Sequence, residues 1–354
     1  MATEPKQGMG IFQKYLTLWV ALCMAAGVLI GKFLPGVPQF LNQFEYANVS
    51  IPIAILIWLM IYPMMLKVDF QSIRDVGKNP KGLFVTWVTN WLIKPFTMFG
   101  IAWFFFYVVF KDLIPDTKLA QDYLSGAILL GAAPCTAMVF VWSHLTRGNP
   151  AYTVVQVATN DLIILVAFTP IVALLLGIGG VTIPWDTLIL SVVLFVVIPL
   201  AGGILTRTQM IRKKGEAYFT NTFLPKWDNV TVAGLLLTLV IIFSFQGNVI
   251  LENPLHIVLI AVPLTIQTFL IFFIAYLASR ALKLPHNIAA PAGMIGASNF
   301  FELAVAVAIA LFGAKSPVAL ATIVGVLVEV PVMLTLVKIA NRTTHWFPAQ
   351  ETNG

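Results

Sequence analysis

A carboxyl at Glu302 and a thiol at Cys135 lie in apolar segments where such groups are rare. Glu302 ends a stretch that also holds a proline, two glycines, Ser298 and Asn299. An acidic side chain at the centre of a membrane costs about 3 kcal/mol on insertion scales, so it persists mainly where it has a function. A carboxyl shielded from water can exchange a proton with whichever side is open. The alternative is a protonated carboxyl that only hydrogen-bonds a neighbouring helix.

Cys135 follows Pro134 and precedes Thr136 in a second irregular segment. A buried cysteine usually behaves as a small apolar residue. A proline inside a helical span, however, leaves carbonyl groups unpaired, and these are tolerated where they line a cavity. The thiol of Cys135 can face that cavity, whereas Cys23 lies in a plain apolar run. No Cys-x-x-Cys pair occurs, which excludes a four-ligand zinc centre built on one.

Two further acids, Asp161 and Glu329, also lie deep in apolar segments. They are candidates for a proton relay or for support of the site, and the alternative is that they pair with neighbouring helices. Asn90, Lys94 and Gln267 are polar residues that could pair with them. Lys94 either extends its charge toward the membrane surface or counters an acid.

The composition indicates what kind of scaffold holds these residues. Of 354 residues, 59% are hydrophobic and 10% are charged, and the mean hydropathy is +0.91. Soluble proteins carry roughly 25% charged residues. The sequence therefore predicts an all-α polytopic membrane protein, since a spanning helix needs about 20 apolar residues. Ten stretches qualify: Tyr15–Phe33, Val49–Val68, Gly82–Phe110, Tyr123–Leu145, Ala151–Gly177, Asp186–Leu205, Asn229–Gln246, Leu255–Leu282, Asn287–Gly313 and Pro317–Ile339.

The basic residues predict the orientation. The first 14 residues are polar and lack the apolar core of a signal peptide. If both termini lie in the cytoplasm, most of the 21 Lys and Arg residues lie on the cytoplasmic side, as the positive-inside rule requires. They are densest in the predicted loops Lys67–Lys81 and Arg207–Lys226. The net charge of +6 thus reflects membrane orientation, and no nucleic-acid partner is expected. The outside faces carry only Lys32, Lys111, Lys118 and Lys315.

The ten spans divide into two halves of five, residues 1–180 and 181–354. An odd number of spans inverts the second half relative to the first, as in inverted-repeat transporters. Paired interrupted helices in such proteins mark the binding site, and the irregular spans are the fourth and the ninth. A shift of 167 positions places Cys135 opposite Glu302. The same shift gives a few identities: Gly126 with Gly293, Ile128 with Ile295, Ala137 with Ala304 and Pro150 with Pro317.

Several function classes lack their motifs. No nucleotide-binding loop occurs, so no ATPase domain is expected in this chain, and an ion gradient or another subunit would power transport. The sequence indicates no cofactor. An intramembrane enzyme based on Cys135 would need a nearby base, but the four histidines lie at span ends or in tails, so the chain is not expected to be an enzyme. A channel is disfavoured by paired irregular spans with a titratable acid.

Five runs of residues carry a family resemblance. They are Ala133-Pro-Cys-Thr-Ala-Met-Val-Phe-Val-Trp-Ser143, Gly148-Asn-Pro-Ala-Tyr152, Val155-Gln-Val-Ala-Thr-Asn-Asp161, Ser298-Asn-Phe-Phe-Glu-Leu-Ala-Val-Ala306 and Gly325-Val-Leu-Val-Glu-Val-Pro-Val-Met333. Together they resemble the arsenical-resistance permeases of the bile-acid/arsenite/riboflavin transporter superfamily, over nearly the whole chain.

The resemblance implies ten spans in two inverted five-helix repeats, with discontinuous fourth and ninth helices that cross near the middle. It implies export of arsenite or antimonite across the plasma membrane, the inner membrane of a bacterium, in exchange for protons. The cysteine that the family requires falls on Cys135 and the glutamate on Glu302. The related bile-acid carriers use sodium, so a sodium-coupled organic-anion carrier of the same fold is the alternative.

The chemistry of arsenic agrees with this resemblance. Trivalent arsenic is a soft Lewis acid that prefers thiolate to oxygen ligands, and one sulfur with oxygens suits a carrier that must release its cargo. We expect Cys135 to contact the metalloid. The other expected substrate-site residues are Pro134, Thr136, Ser298, Asn299 and Glu302, and the expected proton-coupling residues are Glu302, Asp161 and Glu329.

Overall fold

The computed structural model describes residues 15–46, 49–67, 80–136, 138–181, 185–252 and 254–348. Its regular secondary structure consists of helices and one hairpin, in which Glu45–Tyr46 (β1) pairs antiparallel with Val49–Ser50 (β2). The helices in chain order are Leu16–Phe33 (α1), Gly36–Asn42 (α2), Ile51–Met65 (α3), Pro80–Val109 (α4), Thr117–Gly131 (α5), Val139–Leu145 (α6), Pro150–Ile178 (α7), Trp185–Lys214 (α8), Leu224–Glu252 (α9), Pro254–Ala281 (α10), His286–Ala297 (α11), Phe301–Phe312 (α12) and Pro317–Arg342 (α13).

Six helical segments in the described part are long and apolar enough to cross a membrane. Their outward side chains are apolar, as the 73% exposure of Val166 and the 66% exposure of Leu92 illustrate. The prediction of a helical, multi-pass membrane protein is therefore confirmed. The six segments are Pro80–Val109, Pro150–Ile178, Trp185–Lys214, Glu216–Gly247, Pro254–Ala281 and Pro317–Arg342.

The prediction of a loop over Arg207–Lys226 is wrong, because the structure is helical over most of these residues. Helix α8 runs on to Lys214, and helical structure resumes at Glu216, passes through a π-helical turn and continues into α9. Gly215 makes the turn between them with a φ of 83°, which glycine adopts at no steric cost. Arg, Lys, Gln and Met favour helix, so α8 continues beyond its apolar part. Most of the other predicted loop, residues 68–79, lies outside the described residues, as do Lys6 and Lys14.

The fourth and ninth predicted spans are both interrupted. Helix α5 ends at Gly131 and α6 begins at Val139, whereas α11 ends at Ala297 and α12 begins at Phe301. Pro134 lies in the first interruption, where it cannot donate a helical hydrogen bond. The second interruption contains Ser298 and Asn299, which favour helix ends over helix interiors.

Helices α11 and α12 are buried over most of their length, and α5 packs against α13 through small residues. A Cβ added at Gly126 would lie 2.6 Å from the Cβ of Ala321, so no side chain fits between α5 and α13 there. A Cβ at Gly131 would lie 2.6 Å from the Cβ of Met98, on α4. Close approach through small residues is typical of membrane helix interfaces, and here it fixes α5 just before the chain leaves the helix.

Candidate functional site

The two interruptions meet and pair through their backbones. The Cys135 N–H donates to the Ser298 carbonyl at 3.2 Å, and the Phe300 N–H donates to the Ala133 carbonyl at 3.1 Å. Pro134 and Asn299 face each other as an isolated antiparallel bridge. Backbone groups that leave a helix in an apolar interior need partners, and each interruption supplies them for the other. We call Ala133–Thr136 the first arm, Ser298–Phe300 the second arm, and their meeting point the crossing.

Glu302 lies one turn from the crossing, in the first turn of α12. A negative charge is favoured near a helix N-terminus, because the unpaired N–H groups there carry partial positive charge. The Glu302 side chain is only 2% exposed, and its Oε2 has no hydrogen-bond partner among the described residues. This carboxyl oxygen is therefore available to a ligand or a proton.

Lys94 and Glu329 hold the second arm from two sides. Lys94 Nζ donates to the Ser298 carbonyl at 2.6 Å. The Ser298 hydroxyl donates to Glu329 Oε1, and the Asn299 N–H donates to Glu329 Oε2 at 3.3 Å. Lys94 is 1% exposed and Glu329 is 4% exposed, so an opposite pair of buried charges is anchored on two consecutive residues.

The charges around the crossing also act on one another. The Lys94 ammonium attracts the Glu329 carboxylate and would attract a thiolate at Cys135. Glu329 is close enough to Glu302 for the two carboxylates to repel each other when both are charged. Lys94 is buried and its Nζ binds the Ser298 carbonyl, so the alternative of a charge at the membrane surface is wrong. The acid that shares this residue with it is Glu329, which binds the Ser298 hydroxyl.

The first arm places its thiol among apolar side chains. Cys135 is fully buried and packs with Val139, Val157 and Ile295. Beside it, Thr136 is 4% exposed and its hydroxyl has no hydrogen-bond partner among the described residues. Asn299 Oδ1, across the crossing, also has none. Buried polar atoms without partners are rare in folded proteins. Here one belongs to the residue after Cys135 and the other to Asn299, which pairs with the residue before it.

Asp161 is buried on α7, away from this hydrogen-bond network. Both of its carboxyl oxygens lack a hydrogen-bond partner within the described ranges. Its neighbour Asn160 accepts hydrogen bonds on Oδ1 from Trp91 Nε1 at 3.0 Å and from Asn90 Nδ2 at 3.5 Å. Asn90 Oδ1 in turn would lie 3.3 Å from a Cβ on Gly296 of α11. The polar contact between α4 and α7 therefore lies next to α11, close to the point where α11 ends.

The sequence offers Asn90, Lys94 and Gln267 as pairing partners of the deep acids, but among the described residues Asn90 pairs with Asn160 and Gln267 with α4. The structure joins Lys94 to the crossing, and Gln267 Nε2 donates to the Lys94 carbonyl at 3.0 Å. Trp91 was missed, because an indole in an apolar span resembles any other core aromatic. Within the described residues no three His, Cys, Asp or Glu cluster as they would around a resident metal ion.

The described part of the structure contains a small cavity beside Glu329 and a larger one at the ends of several helices. The smaller, of ≈20 Å³, adjoins Glu329 and Phe301 and is just large enough for one water molecule. The larger, of ≈900 Å³, opens where α6 ends and α7 and α11 begin, and at its edge the Ser143 and Thr153 hydroxyls hydrogen-bond at 2.6 Å. Its lining comprises Phe140, Ser143, His144, Arg147, Gly148, Pro150, Thr153, His286, Asn287, Thr344, Phe347 and Pro348.

Comparison with known proteins gives consistent results. The Sodium Bile acid symporter family matches residues 54–253. Arsenical-resistance protein Acr3 of Alkaliphilus metalliredigens is 70% identical over 97% of this chain and 96% of its own length. An uncharacterised transporter of Synechocystis is 49% identical over 96% of this chain and 91% of its own. Arsenical-resistance protein Acr3 of Corynebacterium glutamicum is 33% identical over 92% and 87%. With this likeness over nearly its whole length, the chain belongs to the arsenical-resistance transporters of the sodium bile acid symporter family.

Proposed function

We propose that this protein exports arsenite or antimonite across the bacterial plasma membrane in exchange for protons. The observation that carries the proposal is the crossing, which brings a thiol on one arm and an acid beside the other to the middle of a membrane bundle. Two relatives named for arsenical resistance support the cargo. No step requires a cofactor or enzyme chemistry.

The proposed architecture has ten spans in two inverted repeats, residues 1–180 and 181–354. Six long helical segments support it, together with α1, α3 and the interrupted pairs α5–α6 and α11–α12. Each predicted half contains one interrupted span, as an inverted repeat requires. The distribution of Lys and Arg supports cytoplasmic termini, and the larger cavity, with His144, Arg147 and His286 in its wall, would then open to the cytoplasm.

Cargo binding is proposed as a ligand exchange at the thiol. The sulfur of Cys135 forms a bond to arsenic and one hydroxide leaves, which takes the thiol proton and departs as water. Release reverses the exchange. Pro134, Thr136, Ser298 and Asn299 are proposed to line the site, and the unpaired Thr136 Oγ1 and Asn299 Oδ1 support oxygen contacts to the remaining hydroxides.

Glu302 is proposed as the proton carrier. It loses its proton to the cytoplasm while cargo binds, and a proton from outside neutralises it and favours release. The unpaired Oε2 and the position at the start of α12 support this role. Glu329, which shares an electrostatic environment with Glu302, and Asp161, on the α7 side, are proposed as supporting coupling residues.

Arsenite uptake into everted membrane vesicles tests the function. Uptake should follow an imposed proton gradient, stop when an uncoupler is added, and stay the same when potassium replaces sodium. Vesicles without the protein are the control. Uptake that needs sodium would instead support the sodium-coupled organic-anion carrier, and uptake that survives the uncoupler would contradict proton exchange.

A further inference from the structure

We propose that Lys94 determines which ion this transporter couples to: its ammonium occupies the cation position at the crossing, so that the site takes no sodium. This inference deepens the proposed proton exchange and rests on it. The evidence is the position of one buried amine, and the experiment below measures cation binding and does not depend on arsenite transport.

The oxygen that Lys94 Nζ contacts, the Ser298 carbonyl, is of a kind that a metal cation would use. In inverted-repeat transporters the carbonyls of interrupted helices and the C-terminal ends of half-helices coordinate the coupling ion. Ser298 directly follows the C-terminal end of α11, and its carbonyl points at Lys94 Nζ, 2.6 Å away. The carboxyl of Glu329 binds the hydroxyl of the same residue. The second arm thus has a carbonyl and a carboxylate bound to the same residue, and both are ligand types that a hard cation takes.

The amine is held in this position from its own helix. Lys94 follows a π-helical turn, Val88–Ile93, and precedes Pro95. Gln267 Nε2, on α10, donates to the Lys94 carbonyl at 3.0 Å and to the Thr97 hydroxyl at 2.9 Å. The side chain therefore starts from a fixed point on α4 and reaches across to the second arm.

A fixed ammonium would exclude a second cation in two ways. It occupies the space next to the Ser298 carbonyl, and it repels any added positive charge at short range. It also compensates the charge of Glu329, so the crossing has no need of an external cation to offset that acid. The comparison with sodium coupling is informative because the chain matches a family named for sodium symport. The same crossing could be served by a mobile sodium ion or by a tethered amine, and this chain has the amine.

The test is the sodium dependence of the melting temperature of the purified full-length protein in detergent. Sodium chloride is compared with choline chloride at equal ionic strength for the wild type, Lys94→Gln and Lys94→Ala. A ligand that binds only the folded state raises its stability. We expect sodium to raise the melting temperature of both variants by about 2 °C or more and to leave the wild type unchanged. Lys94→Arg, which keeps the charge, should also be unaffected.

The matched control is the double variant Lys94→Met with Glu329→Gln, which removes both charges and should not respond to sodium. If the single variants do not yield folded protein in choline chloride, the yield of monodisperse protein on size-exclusion chromatography is compared after purification in sodium chloride and in potassium chloride, with sodium expected to raise the yield. A sodium response of the wild type or of the double variant equal to that of Lys94→Gln would overturn the proposal. So would the absence of a sodium response from the single variants in both measurements.

Discussion

Ala133–Thr136 and Ser298–Phe300 exchange backbone hydrogen bonds at the crossing, but the side chains around them differ in kind. The first arm is surrounded by apolar groups, with the Cys135 thiol among Val139, Val157 and Ile295. The second arm is held by an ammonium and a carboxylate that bind Ser298 and Asn299. A soft thiol among apolar side chains suits a neutral metalloid, whereas a charged network suits a proton. We therefore propose that the first arm supplies the sulfur ligand of the cargo, and that the proton is handled on the side of the second arm, where Glu302 and Glu329 lie.

Replacing Cys135 with serine should break the cargo arm and leave the charged arm intact. A hydroxyl is a hard ligand and a poor partner for trivalent arsenic. We expect arsenite export in everted vesicles to fall by about 100-fold, equivalent to about 2.8 kcal/mol. The melting temperature should change little, because the backbone bonds of the arm remain.

Cys23→Ser is the matched control, since the other cysteine lies in α1, away from the crossing, and should export arsenite at the wild-type rate. Equal export by Cys135→Ser and Cys23→Ser would mean that the thiol of the first arm does not contact the cargo.

Replacing Glu302 with glutamine should break the coupling and spare the cargo arm. For an exchange of one proton per arsenite, a pH difference of one unit sustains about a tenfold arsenite gradient. Glu302→Gln should lose this response, because its amide cannot carry the proton, and should retain arsenite binding. The measurement is vesicle uptake at several imposed pH differences, and the exposed Asp112→Asn variant is the control. A retained tenfold response would remove Glu302 from the coupling.

The two hydroxyls of the crossing allow a finer comparison. Ser298→Ala removes the donor to Glu329 and leaves a buried carboxyl oxygen unpaired, which should cost about 1–3 kcal/mol of unfolding free energy. Thr136→Ala removes a hydroxyl that has no hydrogen-bond partner in the described structure, so its stability should be nearly unchanged. Its apparent affinity for arsenite should instead fall about fivefold, equivalent to about 1 kcal/mol. Thermal unfolding and concentration-dependent uptake separate the two effects. If Thr136→Ala destabilises as much as Ser298→Ala, the arms do not differ as proposed.

The sequence predicts the arms better than it predicts their contacts. Apolar runs of spanning length predict the helices, and Pro134 at mid-span predicts the first interruption, because both depend on local chemistry. The link from Lys94 to Ser298 spans 204 positions of sequence, and one chain carries no signal for such a distance. The helix over Arg207–Lys214 could have been predicted from local sequence. Its charged residues suggest a loop, but Arg and Lys are good helix formers and the helix continues through them.

Asp161 provides the smallest and most selective test, because it lacks a hydrogen bond to either arm within the described residues. As a supporting coupling residue on α7 it should affect the rate of proton transfer more than the size of the arsenite gradient. Asp161→Asn should slow gradient-driven uptake by about threefold, equivalent to about 0.7 kcal/mol, and reach the same final accumulation. The adjacent Asn160→Ala is the comparison, because it removes the acceptor for Trp91 and Asn90 and should lower stability instead. A change in final accumulation by Asp161→Asn would instead mean that the coupling of proton and arsenite extends beyond the second arm to α7.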